Sequence, residues 1–406
     1  MPSAAAFKPQ NKLERDLAVA TFVNTFGNGL FLVISVLYFT RIMGFSAQQI
    51  GTALTIGGLA ELLVTIPSGH VADRVSPKTI AISTAVMFGI WEVSFFVISS
   101  FGAFVAVLVI QGILDGFSRT SRQAIYARVA APEDRVRLRA YLRSMTNVGI
   151  GLGSTVGALA IAVDQRWMYL SVIAIDITTY LVSAALLTRI PHIEPHPSAR
   201  NHHWSLALRD RFFVGLTILN AVFATHFILL DTVIPLWIIH DTQAPKAMIA
   251  VTFIINTAMA ATLQVKLSQG TEDVTKAARA VRKASWLLMA TCATYALTAN
   301  ISPWIVVSLV LAGAAALHVV GEMLHAAGGW GISMGLPPES AMGQYQGVWL
   351  FGQSIGTMLA PALLTALIIG NGIAGWIGLG LVYVVAGILV VALMNSRVER
   401  LATIAN

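Results

Sequence analysis

Six carboxylates, Glu61, Glu92, Asp115, Asp176, Asp231 and Glu322, lie inside long apolar runs of a 406-residue chain. A charged side chain at the centre of a membrane helix costs roughly 2.5–3.5 kcal/mol on insertion scales, so each acid must face a wet cavity, pair, or hold a proton. Groups with that choice can take up and release protons. On one run Gln111, Asp115, Arg119 and Arg122 recur at i, i+4, i+8 and i+11, a single polar stripe along a helix. A second run carries His318, Glu322 and His325 at i, i+4 and i+7. The static alternative at these stripes is an i, i+4 pair of Asp115 with Arg119, or of Glu322 with a neighbouring histidine. Glu61 sits beside Gly57 and Gly58, and Asp231 lies in the outer half of its run. Asp115, Glu322, Glu61 and Asp231 are therefore the candidate proton-coupling groups.

Uncharged polar and aromatic residues accompany them. Asn24 and Asn28 share a helical face near Phe31, Gln111 heads the first stripe, and His318 heads the second. Asn220 shares a face with Asp231, whereas the helical register turns His226 elsewhere; Gln346, Trp349 and Gln353 recur at i, i+3 and i+7. Apolar walls supply affinity and a few amides orient, so this set suits an amphipathic, cationic small molecule as substrate. His226 and His318 are also candidates for a response near neutral pH.

The elements that must position these residues follow from composition. The chain is 56% hydrophobic and 11% charged, with mean hydropathy +0.74, far from the roughly 25% charged usage of soluble domains. Apolar runs predict twelve helices near 17–43, 47–71, 78–99, 101–127, 141–163, 167–190, 211–239, 246–267, 281–299, 302–328, 341–370 and 372–395. Twelve spans of about 20 residues use about 240 and leave no room for a large extramembrane domain. The run from Leu17 is too long for a secretory leader and reads as a first span that stays attached.

With the N-terminus in the cytoplasm, Arg74/Lys78, Arg135/Arg137/Arg139/Arg143, Arg200/Arg209/Arg211, Lys276/Arg279/Arg282/Lys283 and Arg397/Arg400 all fall on one side. Only Arg41, Arg166 and Lys246 fall on the other. This asymmetry predicts cytoplasmic N- and C-termini, and it accounts for the net charge of +7 without nucleic-acid binding. The longest polar stretch, PHIEPHPSARNHHWSLALRDR from Pro191 to Arg211, divides the chain into a six-helix bundle at 1–190, a linker at 191–210 and a second six-helix bundle at 211–406. A parallel repeat of this kind places a substrate site near the membrane midplane between the halves. His192, His196, His202 and His203 in the linker have no cysteine beside them and read as solvated. The single cysteine, Cys292, excludes an internal disulfide and a thiolate metal cluster.

Three stretches carry a family resemblance. Gly69-His70-Val71-Ala72-Asp73-Arg74-Val75-Ser76-Pro77-Lys78 resembles the cytoplasmic 2–3 loop signature of the major facilitator superfamily, G-x-L-A-D-R-x-G-R-K, with Gly69, Asp73, Arg74 and Lys78 matching. Gly149, Gly153 and Gly157 fall on the superfamily's antiporter motif, with Ser154 in place of its proline and Ala158 in place of its last glycine. Small residues at i, i+4 and i+8 also permit close helix packing without any such motif. Phe22–Gly29 and the run on to Gly51 are similar to the opening of bacterial twelve-span drug/proton antiporters. The chain departs from the pattern where Leu108 stands in place of the fourth-span arginine and where Gly270-Thr271-Glu272-Asp273-Val274 lacks the arginine of a second loop copy.

The resemblance implies an all-α fold of two pseudo-symmetric six-helix bundles in the bacterial cytoplasmic membrane. It implies that Gly69, Asp73, Arg74 and Lys78 latch the cytoplasmic helix ends in one conformer, and that Glu92 and Asp176, on peripheral helices, make structural hydrogen bonds. No H-E-x-x-H or nucleotide-binding loop is present, so neither an enzyme nor a nucleotide-driven pump is expected. The expectation is a proton-coupled exporter of drugs or small natural products, monomeric, in contact with lipid and needing no cofactor or resident metal. Uptake of a nutrient with protons on the same scaffold is the alternative.

Overall fold

A computed structural model describes residues 9–195, 203 and 205–405. His196, Arg200 and His202 of the linker lie outside the described residues. Within them the regular structure is helical, with no strand.

The helices begin where short polar side chains can take up the orphan amides of a first turn. Asn11 accepts from the Glu14 amide at 2.8 Å and starts α1, Lys12–Leu37, which runs on through a π turn, Tyr38–Ile42. Ser46 and Gln49 form a reciprocal capping box at the head of α2, Ala47–Arg74. Pro77 occupies the first turn of α3, Pro77–Glu92, and Ser100 caps α4, Phe101–Val129. Next come α5, Arg135–Val163, and α6, Arg166–Thr188.

Asp210 caps α7, which consists of Arg211–Ala224, a break, a π turn at Leu229–Val233 and a final stretch Ile234–Asp241. Then follow α8, Met248–Leu267, α9, Val274–Leu297, and α10, Trp304–Gly335. The last helical stretch, Met342–Ala405, is interrupted at Gly372 (φ 57°, ψ −129°), which separates α11 (342–371) from α12 (373–405).

Ten helical stretches of the described residues are long and apolar enough to cross a membrane. One of them, Glu339–Arg397, is the pair α11 and α12, and α9 falls outside the ten. Counting the pair as two and adding α9 gives twelve, as the apolar runs predicted. The run at 281–299 missed the first two turns of α9 because Lys276, Arg279, Arg282 and Lys283 hide the helix start from any hydropathy reading.

The chain divides into two compact units, the first drawn from 1–131, 141–206 and 338–347, the second from 132–140, 207–337 and 348–406. In the first, α4 packs on α2 and α3, while α6 packs on α1 and α3. An aromatic cluster at one end joins Tyr38, Phe39, Phe45, Phe95, Phe104 and Tyr169. Helix α5 lies against α1 at backbone distance: a Cβ on Gly153 would overlap the Phe26 carbonyl, and one on Gly149 would overlap the Thr25 hydroxyl. In the second unit, α10 packs on α8 and α9. There the first turns of α5 meet the end of α10, with Arg139 5.4 Å from the Trp330 ring centre. Large apolar side chains such as Leu63, Val97, Ile254 and Leu309 stay exposed on the outer faces, as lipid-facing surface requires.

Candidate functional site

A cavity of about 370 Å³ opens within the first unit. Its wall is mostly apolar, from Phe31, Leu32, Phe39, Leu54, Leu108 and Tyr180, and its polar groups are Asn28, Ser35, Glu61, Gln111, Asp115 and Asp176. Three acids on three helices thus share one cavity. Gly57 and Gly112 let α2 and α4 approach closely at its wall, since a Cβ on Gly112 would overlap the Gly57 carbonyl.

The acids are held differently. Glu61 makes an ion pair with Arg119 across the α2–α4 contact. Arg119 is therefore committed to the neighbouring helix, and the i, i+4 pair with Asp115, the static alternative for this stripe, does not form. Asp115 has no hydrogen bond among the described residues; it feels Glu61, Arg119 and Arg122 through space. Asp176 accepts from Thr179 Oγ1 at 3.2 Å and shares a hydrogen bond with Glu92 of α3. Both members of that pair are buried, and two carboxyl groups in hydrogen-bond contact need a proton on one of them. Asp176 also reaches the cavity wall, a position that its place on a peripheral helix did not announce. Asp176 and Tyr180, at i and i+4 on α6, form a polar stripe that could have been read beforehand.

The other first-unit candidates sit close by. Asn28, Phe31 and Gln111 line the cavity, and Asn24, one turn before Asn28, is buried with its Nδ2 unpartnered. At the end of α2, Asp73 accepts from Arg128 Nη2 at 2.5 Å and from the backbone amides of Gly343 at 2.7 Å and Gln344 at 2.8 Å. A carboxylate at the first amides of α11 meets the positive end of that helix. Gly69 touches the Gly343 carbonyl so closely that a Cβ there would overlap it, and Lys78 donates to the carbonyls of Thr188 and Ile190 at 2.8 and 2.6 Å. Arg74 is exposed at the same end.

In the second unit the polar groups gather between α7, α8 and α10. His325 Nε2 meets Asn220 Oδ1 at 3.1 Å, and His325 Nδ1 meets His226 Nε2 at 3.0 Å. The register expected of α7 set His226 apart from Asn220. The break at 225–226 turns His226 back, and His325 joins the two. Glu322 accepts from Asn256 Nδ2 at 3.0 Å, and Asp231 is near enough to interact with Glu322 electrostatically. Asn256 is a contact that no motif pointed to. Trp349 is buried against Phe213, with ring centres 5.8 Å apart, and lines a small niche with Asn220 and His325. Gln346 is buried and Gln353 half-buried on α11.

Twelve apolar helices in two units, with acids and amides facing interior space, define a multi-pass membrane transporter rather than an enzyme. The sequence matches the Major Facilitator Superfamily over residues 17–361, and the chain belongs to that family. It is 23% identical over 160 residues to the quinolone resistance protein NorA of Staphylococcus aureus (strain MRSA252). That match spans 39% of this chain and 41% of that relative.

Among solved structures, a bacterial homologue of the iron transporter ferroportin superposes with a TM-score of 0.72 at 14% identity, covering 95% of this chain and 99% of that one. The E. coli fucose:proton symporter FucP superposes with a TM-score of 0.69 at 14% identity, covering 93% and 97%. These likenesses extend to the fold.

Proposed function

We propose that the protein exports amphipathic small molecules, drugs or natural products, across the bacterial cytoplasmic membrane in exchange for protons. The observation that carries this reading is the first-unit cavity: apolar and aromatic walls, two amides and three acids in about 370 Å³. Such a wall binds by area and tolerates varied shapes, whereas a sugar needs dense hydrogen bonding. The partial similarity to a quinolone resistance protein supports the same direction.

In the proposed cycle, Asp115 takes the proton when the cavity is empty and gives it up when a cationic substrate enters, so the two ligands favour opposite conformers. Glu61, Asp231 and Glu322 complete the proton-coupling set. Asn24, Asn28, Phe31, Gln111, Asn220, His226, His318, Gln346, Trp349 and Gln353 are the proposed substrate contacts. Gly69, Asp73, Arg74 and Lys78 act as a latch, and Gly149, Gly153 and Gly157 act as the antiporter motif. The chain works as a monomer by alternating access, with both termini in the cytoplasm.

The test is a flux assay in proteoliposomes loaded with a pH-sensitive dye and challenged with a panel of amphipathic cations. Proton counterflow driven by substrate is expected. Proton flow in the same direction as substrate, or a response to sugars alone, would replace export with uptake.

A further inference from the structure

The second unit holds a cluster, drawn from the proposed coupling and contact residues, whose geometry suits a further ligand. One ring nitrogen each of His226 and His318 and a carboxylate oxygen of Glu322 lie within 4.8 Å of one another. His318 and Glu322 are one turn apart on α10, so both project from one face toward α7. We propose that His226, His318 and Glu322 form a binding site for a first-row divalent transition-metal ion of the Zn2+ or Co2+ kind.

The hydrogen bonds around the cluster decide its chemistry. Asn220 offers Oδ1 to His325, which makes His325 Nε2 the donor and leaves His325 Nδ1 as an acceptor. His226 Nε2 then donates to His325 Nδ1, and the lone pair of His226 falls on Nδ1. That Nδ1 is buried and has no hydrogen-bond partner. His318 spends its other nitrogen on the His226 backbone and keeps Nε2 buried without a partner. Each histidine thus keeps one bare imidazole lone pair beside a carboxylate, and the group is rich in acceptors. The Asn256 amide bonds Glu322 and orients it. Ligating histidines held by a hydrogen bond on the far nitrogen are the arrangement that fixes tautomer and ring direction in metal sites.

Two imidazoles and one carboxylate with positions left for water suit zinc, cobalt and their neighbours better than calcium or magnesium, which prefer all-oxygen shells. In a tetrahedral site with bonds of about 2.1 Å the donors stand about 3.4 Å apart, so donors within 4.8 Å of one another would close by at most about 1.4 Å on the ion. Helix α7 is interrupted at 225–226, beside His226, where such a shift is easiest. The proposal does not rest on the export reading: the ion binds here whatever the first-unit cavity carries.

The experiment uses the full chain without a polyhistidine tag, stripped with chelator and titrated with Co2+ while visible absorption is followed. One equivalent per chain is expected, with ligand-field bands of nitrogen and oxygen coordination, displaced by Zn2+. His226→Asn, His318→Gln and Glu322→Gln should each weaken binding by roughly tenfold or more, and exposed His240→Asn should leave it unchanged. Thermal unfolding of each variant reports whether it folds. If the histidine variants fail to fold, the isosteric Glu322→Gln carries the test alone. No Co2+ bound by the folded chain, or binding unaltered in folded variants of the three residues, overturns the site.

Discussion

Arg119 on α4 reaches across to Glu61 on α2 and leaves Asp115, one turn away on its own helix, without a direct ion pair. The pairing divides the cavity acids by task. Glu61 and Arg119 neutralise each other across a helix contact, while Asp115 faces the cavity with its carboxyl available to a proton or a cation. Asp115→Asn should therefore cut proton-driven exchange by roughly tenfold or more, about 1.4 kcal/mol in the barrier, and flatten its pH profile. Glu61→Gln should lower the rate and change the profile less than Asp115→Asn does. Flux measured across external pH separates them; a flat profile in Glu61→Gln with a normal one in Asp115→Asn would reverse the assignment.

Asp73 holds three donors at once, Arg128 and the amides of Gly343 and Gln344. Four residues beyond Gln344 the chain enters the second unit, so release of these amides frees the start of α11. Asp73→Asn keeps an oxygen for one amide but removes the charge facing a guanidinium that is itself only 9% exposed. Breaking a buried pair costs about 3–5 kcal/mol. A fall in thermal stability and a slower transport rate are expected together, and Arg128→Gln in the Asp73→Asn background should add less than it does alone. Additive losses in that double-mutant cycle would show that the two residues act independently.

The architecture was legible in the sequence to a greater degree than the site. Apolar runs placed twelve helices, including the division between α11 and α12 that the structure locates at Gly372. The loop signature implied that Asp73 holds helix ends together, and Asp73 bonds Arg128 and the first amides of α11. Side-chain pairing between helices was harder. The i, i+4 rule joins Arg119 to Asp115 because it knows only one helix, whereas the close α2–α4 approach at Gly57 and Gly112 brings Glu61 within reach. The His226 register failed for a different reason: a wheel of 100° per residue assumes an unbroken helix, and α7 is interrupted at 225–226. Asp176 makes the structural contact expected of its position, with Glu92, and it also reaches the cavity, which its position did not announce.

That pair makes its own prediction. Glu92→Gln keeps a hydrogen bond to Asp176 through an amide and should change stability by no more than about 1 kcal/mol. Glu92→Ala leaves both a void and an unsatisfied buried carboxyl, and a loss of about 2–4 kcal/mol is expected. Thermal unfolding in detergent, ranked wild type, Glu92→Gln, Glu92→Ala, is the check; equal losses in both variants would mean that the hydrogen bond contributes nothing.

The glycines of α5 can be tested in the same way, because packing and motif function predict different patterns. Gly149 and Gly153 face α1 backbone or side-chain atoms at separations that leave no room for a Cβ, while Gly313 on α10 has nothing within 4 Å. Gly153→Val should destabilise by at least about 1–3 kcal/mol, the usual cost of overpacking, and should lower transport only in proportion to the folded fraction. Gly313→Ala should be neutral or should stabilise by up to about 1 kcal/mol through helix propensity. Gly153→Ala is the informative intermediate. If it folds with near-normal stability yet loses exchange, the α1–α5 contact must slide during the cycle, and close packing alone no longer explains why glycine stands there.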